Sequence, residues 1–427
     1  MLGDGDGAEA VDAYKAPPPT SPEPGPKPSR EPAAAWSWAS RRAVLLAVLL
    51  GMTYMYPAYL AGTLGVAIRN DLGLDSAALG MTISLFYAIG AVAMSFGGRV
   101  ADRMGPRRAL RTAAGMTGAC LVGVALFGGS WAGLLACLAV GGVGSAIGAP
   151  IGTLLIVRHV APGRRPIAFG LERSAIPAST LLASLALPLL ATVLHWRLVF
   201  LVGALAVGVL VALRIPDAAP RAMHPDAALR AMRKGAAPPR GRLTPIAPLL
   251  LITLSFALAS AAATALSSLF VDYGVSLGFS QSAAGVALAG GSIVIIAARF
   301  GLGLGRGRRR GRLTVAVMMA LGAVGFLMLL SGDRTLVVIG MFIACGAGWG
   351  WTGLVALAIA EAHPAAPGAA SGLVQAGGSA GGIVGPLLVG AAAQYYSYSV
   401  GWGLAAISVA LASILVLVNR AIWKERR

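Results

Sequence analysis

The first group in this 427-residue sequence that could do chemistry is a guanidinium inside an apolar run, Arg299, late in the run 282–304. A guanidinium stays charged and grips a carboxylate through two parallel hydrogen bonds, so Arg299 is a candidate seat for an anion. The competing reading is structural, a long basic side chain snorkelling to the surface. Glu172 and Arg173 stand about one turn into the run 167–194, where they can pair with Arg158 at the end of the preceding run. A carboxylate at that depth is costly to keep charged, which makes Glu172 a candidate proton carrier; a static ion pair is the alternative. Tyr56, Tyr59, Tyr87, Trp349 and Gln375 are candidate lining residues of a substrate cavity, and each also suits packing or a membrane-interface belt.

Other chemistries find no residues. His159, His195, His224 and His363 are scattered through loops without metal-ligand or catalytic spacing. Cys120, Cys137 and Cys345 lie in apolar runs without a CxxC pair and read as small core residues. No nucleotide-binding loop is present. An enzyme, a metal and a cofactor are therefore not expected. The net charge of +18 raises the question of nucleic acid, but the arginines sit in short loops between apolar runs rather than in a basic domain, so no nucleic-acid partner is expected.

The elements that must position these groups are apolar. Hydrophobic residues make up 57% of the chain and charged residues 12%, about half the usual share of a soluble domain. The mean hydropathy is +0.77. A helix needs about 20 apolar residues to cross a bilayer. Twelve runs qualify: 43–67, 77–98, 109–128, 131–157, 167–194, 197–214, 245–271, 282–304, 313–331, 335–360, 369–394 and 402–419. The fold class expected is an all-α integral membrane protein, twelve transmembrane helices in two pseudo-symmetric six-helix bundles. Residues 1–40 are rich in Pro, Ala and Gly and read as a disordered tail. Bundles at 43–214 and 245–420 flank a polar linker, 215–244, and a short tail, 421–427, ends the chain. Alternate loops hold most of the arginines, which predicts both ends on the cytoplasmic side of the inner or plasma membrane.

The halves repeat. Leu72-Gly73-Leu74-Asp75-Ser76 and Leu277-Gly278-Phe279-Ser280-Gln281 open runs 2 and 8 at an offset of 205 residues, and the same offset carries Gly98 onto Gly303 and Arg103 onto Arg308. A parallel repeat of two membrane halves is a signature of secondary transporters, with substrate bound near the midplane between them.

Between runs 2 and 3 lies Gly98-Arg99-Val100-Ala101-Asp102-Arg103-Met104-Gly105-Pro106-Arg107-Arg108-Ala109-Leu110, read as a tight charged hairpin. It resembles the signature loop of the major facilitator superfamily, G-x-L-A-D-R-x-G-R-[KR]-x-x-L. Gly98, Ala101, Asp102, Arg103, Gly105, Arg107 and Leu110 match it. Val100 stands for Leu, and Pro106 departs from the pattern. The resemblance implies that Gly98, Asp102, Arg103, Gly105 and Arg107 form a conformational latch against the other half. The second copy, Gly303 to Arg309, has Gly307 where Asp102 would fall, so such a latch is asymmetric. In members of the superfamily that resemble monocarboxylate and oxalate carriers, an Arg of helix 8 takes part in anion binding, though Ile295 here replaces the Asp that monocarboxylate carriers place four residues earlier.

Glycines recur every four residues at Gly144, Gly148 and Gly152 and again at Gly377, Gly381 and Gly385, a spacing that brings helices close. Helix 4 lacks the Arg common in proton-coupled members, and helix 5 lacks the Gly-Pro element of drug antiporters. The function expected is a secondary or facilitative transporter of a small organic solute, an organic anion first, with the proton as possible coupling ion and the monomer as working unit. The alternative is a proton-coupled drug or metabolite efflux antiporter.

Overall fold

The computed structural model describes residues 36–161, 164–191, 193–212, 246–304, 311–362 and 367–425. Residues 1–35, the whole 215–244 linker and residues 426–427 lie outside them. All regular structure among the described residues is helical. In chain order the helices are α1 Trp38–Thr63, α2 Gly65–Leu72, α3 Ser76–Phe127, α4 Trp131–His159, α5 Arg165–Arg173, α6 Ala175–Ala186, α7 Trp196–Ala212, α8 Ile246–Ser276, α9 Gln281–Leu304, α10 Gly311–Leu329, α11 Arg334–Trp349, α12 Thr352–Ala362, α13 Pro367–Tyr395 and α14 Tyr398–Glu425. Eleven segments are long and apolar enough to cross a membrane, and Trp196–Gly208 is a shorter apolar helix at the position of the sixth expected run. The chain is a multi-pass membrane protein with the expected twelve-span architecture.

Three expected elements take a different form. The hairpin at 98–110 is not a break in helical backbone: α3 runs through it and carries two spans, Ser76–Met94 and Arg108–Phe127. The chain nevertheless reverses there. Phe86 and Cys120 both abut Gly141, with Phe86 Cε2 and Cys120 Sγ 3.2 and 2.8 Å from where its Cβ would lie. A straight helix would hold those two residues about 50 Å apart. The expected run 167–194 is interrupted at Ser174, whose hydroxyl donates to the Gly170 carbonyl at 3.1 Å, and ends in a π-helical turn, Leu187–Ala191. Pro188 lies in that turn. A proline ring clashes with the carbonyl one turn earlier, and widening the turn relieves it. The run 335–360 breaks between α11 and α12, where Trp351 is fully buried and its indole N–H donates to the Gly348 carbonyl at 2.6 Å.

The repeat is visible in local geometry. Gly73 and Gly278, 205 residues apart, both adopt left-handed backbone, φ +63° and +82°, which a Cβ would strain. Two residues on, the Asp75 side chain caps α3 by accepting from the Ala78 N–H at 2.7 Å. Ser280 caps α9 in the same way from Ala283 at 3.1 Å.

The halves meet closely toward the face away from the two chain ends. A Cβ on Gly62 of α1 would lie 2.8 Å from the Ser268 carbonyl of α8. Gly80 of α3 abuts Pro386 and Gly390 of α13, and Gly285 of α9 abuts Ser184 and Leu187. Ser84 donates to the Ile383 carbonyl at 2.7 Å. Glycine-to-backbone contacts of this kind let helices approach where lipid supplies no hydrophobic drive.

Candidate substrate site and distal gate

Arg299, Glu172 and Arg173 come together between the halves. Arg299 reaches from α9 across the seam, and its guanidinium donates to the Arg173 carbonyl at the end of α5. Its Nε is buried and has no hydrogen-bond partner. The Glu172 side chain is 8% exposed and lies 3.5 Å from the Arg173 guanidinium, with one carboxylate oxygen lacking a hydrogen bond. Arg299 is electrostatically coupled to both residues and to Tyr59. Tyr59 is in hydroxyl contact with Tyr87 of α3 and with Thr180 of α6. Tyr54 faces Glu172 from α1.

Short local rules place these groups. Glu172 and Arg173 occupy the last turn of α5, and the residue four beyond Arg173 is Pro177, which has no N–H to give the Arg173 carbonyl, so a side chain from the other half takes it. Gly152 leaves room for Glu172, whose Oε1 lies 3.3 Å from where a Cβ would sit. Gly148 does the same for Tyr54 at 3.1 Å. Two of the three glycines in the α4 stripe therefore accommodate the polar group, while Gly144 packs against Ala113 and Met116 of α3. The α13 stripe packs on α8: Gly377 on Thr253, Gly381 on Ala257 and Ala261, Gly385 on Ala261.

The other candidates divide. Tyr87 joins the Arg299 group through Tyr59. Trp349 packs at a tilt against Phe256 and edge-on to Trp351, at ring-centroid distances of 5.8 Å each. Gln375 lies on α13 one turn before Gly378, half-buried. Tyr56 points away, its ring on Gly203 of α7 with Cε1 2.7 Å from a Cβ position, inside its own half. The side chains of Gly98, Asp102, Arg103, Gly105, Arg107 and Arg158 lie outside the described residues, so the pairing open to Glu172 here is with Arg173.

A second polar group ties the two halves together toward the opposite face, and its residues carry no motif in the sequence. Asp272, at the end of α8 and 4% exposed, accepts from Arg69 of α2 at 2.5 Å, from Ser76 of α3 at 3.2 Å and from the Tyr398 hydroxyl of α14. The Ser76 backbone N–H also points at Gln394 Oε1, at 3.4 Å. The carboxylate belongs to one half, two donors to the other. Its sequence signal was an acid at a helix end, which is ordinary, and the partner lies 203 residues away. Next to it α2 is held to its own half: Asp71 accepts from the Trp196 indole at 3.0 Å and from Arg197 at 2.9 Å.

Twelve apolar spans in two repeated halves, with charged groups buried along the seam, define a membrane transporter. The chain belongs to the Major Facilitator Superfamily, whose family model matches residues 43–352 and 252–426. Among solved structures it is similar to the D-xylose–proton symporter, at 14% identity over 88% of this chain and 97% of that one, with a TM-score of 0.70. It is also similar to the xylose transporter XylE from E. coli. For the inward-open form the identity is 14%, covering 88% and 96% of the two chains at a TM-score of 0.70. For the partially occluded inward-open form it is 13%, covering 89% and 99% at 0.71. At such identities the likeness is one of fold. No curated protein matches the chain.

Proposed function

We propose that the protein carries a small organic anion across the membrane by alternating access, its halves 43–214 and 245–420 rocking about the seam. One observation carries the reading. Among the described side chains, the group Arg173, Glu172 and Arg299 holds two cations against one carboxylate at membrane depth. An excess positive charge there is costly, and a substrate carboxylate would balance it. The unpaired Arg299 Nε is a donor in waiting. Arg299 is thus the anion seat, with Tyr59 and Tyr87 beside it. Glu172 is the coupling carboxylate: it takes up a proton together with substrate, whose carboxylate replaces its charge beside the two guanidinia, and it is ionised again when both have left. The proton-linked symport named for the solved neighbours suits that role.

The loop arginines support both chain ends on the cytoplasmic side, and the two complete halves support a monomer as the working unit. Asp272 and its donors then form the outer gate. Efflux of a cationic drug has no comparable support, since the buried group repels cations.

Uptake into proteoliposomes tests the proposal. Labelled organic acids should accumulate, and Arg299→Lys should lower uptake by roughly 10²-fold, because a point charge replaces a planar fork. Export of cationic dyes with no uptake of acids would reject it.

A further inference from the structure

The residues around Arg299 close a circuit through both halves. Arg299 on α9 acts electrostatically on Tyr59 of α1, which is in hydroxyl contact with Tyr87 on α3. Tyr87 packs against α13, its Cδ1 3.1 Å from where a Cβ of Gly382 would be. One turn away on α13, Gly378 receives the Phe256 ring of α8, with Cδ1 2.9 Å from a Cβ position. Phe256 packs on Trp349 of α11 at 5.8 Å and edge-on to Trp351 at 5.6 Å. Gly350, the residue after Trp349, packs against Ala298, beside Arg299, at 2.8 Å from a Cβ position. These contacts link residues of six spans, α1, α3, α8, α9, α11 and α13. Tyr87, Phe256, Trp349 and Arg299 are all half-buried, so each keeps part of its surface free.

The chemistry of this ring is lopsided. It offers one half-buried cation and several aromatic faces, and its neutral hydrogen-bonding groups are few: the Tyr59 and Tyr87 hydroxyls, the Trp349 indole and Gln375. The whole chain has only two asparagines, Asn70 and Asn419, and three glutamines, Gln281, Gln375 and Gln394. Of these, Gln375 alone stands near the ring. The neighbouring hydroxyls already donate to backbone carbonyls: Ser260 to Gly378 at 2.8 Å and Ser379 to Gln375 at 3.2 Å. A polyhydroxylated substrate would lose its water and find few partners, which is costly for every unmatched hydroxyl. A flat ring bearing one carboxylate would lose little, since π faces accept an aromatic ring edge-on or offset.

We infer that the substrate is an aromatic monocarboxylate, its acid group on Arg299 and its ring against Phe256 and Trp349. This rests on the anion reading above and narrows it. It also separates the chain from the sugar carriers that share its fold.

Titration calorimetry on the full-length protein in lipid nanodiscs tests it with four probes: benzoate, cyclohexanecarboxylate, benzamide and D-xylose. Benzoate should bind about tenfold more tightly than cyclohexanecarboxylate, which has the same carbon count and charge but no π face. Benzamide and D-xylose should not bind. Trp349→Ala should bring the ratio of the two acids to about one, while Trp349→Phe should keep it above one. Should Trp349→Ala lack a thermal transition, Phe256→Leu with a normal transition gives the same reading. Equal binding of the two acids by the unaltered protein would overturn the aromatic assignment and leave the anion reading standing. Binding of benzamide or D-xylose without either acid, or of none of the four, would overturn both.

Discussion

Arg69 and Asp272 meet at 2.5 Å across the seam, a guanidinium from one half against a carboxylate from the other. Arg69 is 27% exposed and Asp272 4%, so the pair sits at the rim of the protein, screened on one side only. A fully buried pair would lose about 3–5 kcal/mol with one partner, and an exposed one under 1. We take about 1–2 kcal/mol for this one, by interpolation between those limits.

Asp272→Asn should therefore shift the balance toward states open at the distal face by roughly 5- to 30-fold. Spin labels at Asn70 and Ser397, both exposed and on opposite halves, would report it as longer distances. An unaltered distance distribution would remove Asp272 from the gate.

Glu172→Gln keeps the size and hydrogen-bonding capacity of the side chain and removes its charge. Accumulation driven by a pH gradient should disappear, while exchange of substrate for substrate continues. Proteoliposomes with and without a pH gradient separate the two, and a variant still driven by the gradient would show that Glu172 only pairs with Arg173.

Glycines of α13 differ in what surrounds them. A Cβ on Gly381 would meet the backbone of Ala257 and Ala261, whereas one on Gly372 would meet nothing within 4 Å. Gly381→Val should cost about 1–3 kcal/mol through overpacking. Gly372→Ala should be neutral or gain up to about 1 kcal/mol in helix propensity. Thermal unfolding in detergent gives the order; equal melting temperatures would contradict the packing described.

Asp71 lies outside the membrane spans, and the Trp196 indole, with the Arg197 guanidinium, holds its carboxyl below the usual carboxylate range. The folded state therefore favours the ionised form. Its contribution is complete above the ordinary carboxylate pKa and is lost as pH falls through the depressed folded value. Asp71→Asn should melt earlier than the unaltered protein at neutral pH, and the difference should shrink in strong acid. A difference that persisted there would show that the clasp is not ionic.

How far the sequence could be read depends on how conspicuous each residue is in its run. Arg299 and Glu172 are visible because a charge among apolar residues is rare, and the structure brings them to one place. Asp272 is chemically as exceptional, yet it stands where helix meets loop, and only folding reveals its burial. Tyr56 and Tyr59 look alike in sequence and, three residues apart, are offset by only about 60° around the helix, so periodicity alone does not separate the ring on Gly203 from the one beside Tyr87. The reversal at 98–110 was legible as a turn, while its helical backbone was not, since glycines and a proline in water would favour a loop. The aromatic ring was the least legible part: Phe256 carries no motif, and its neighbours lie on separate spans.

The short helix α2 holds both kinds of bond within two residues. Asp71 fastens it to its own half, and Arg69 ties it to the other. In the proposed cycle the second bond breaks while the first holds. A macromolecule that gripped α2 from bulk water, such as an antibody fragment, would stall the cycle without touching the substrate cavity. Such an inhibitor would lower the maximal rate and leave substrate unable to compete it away.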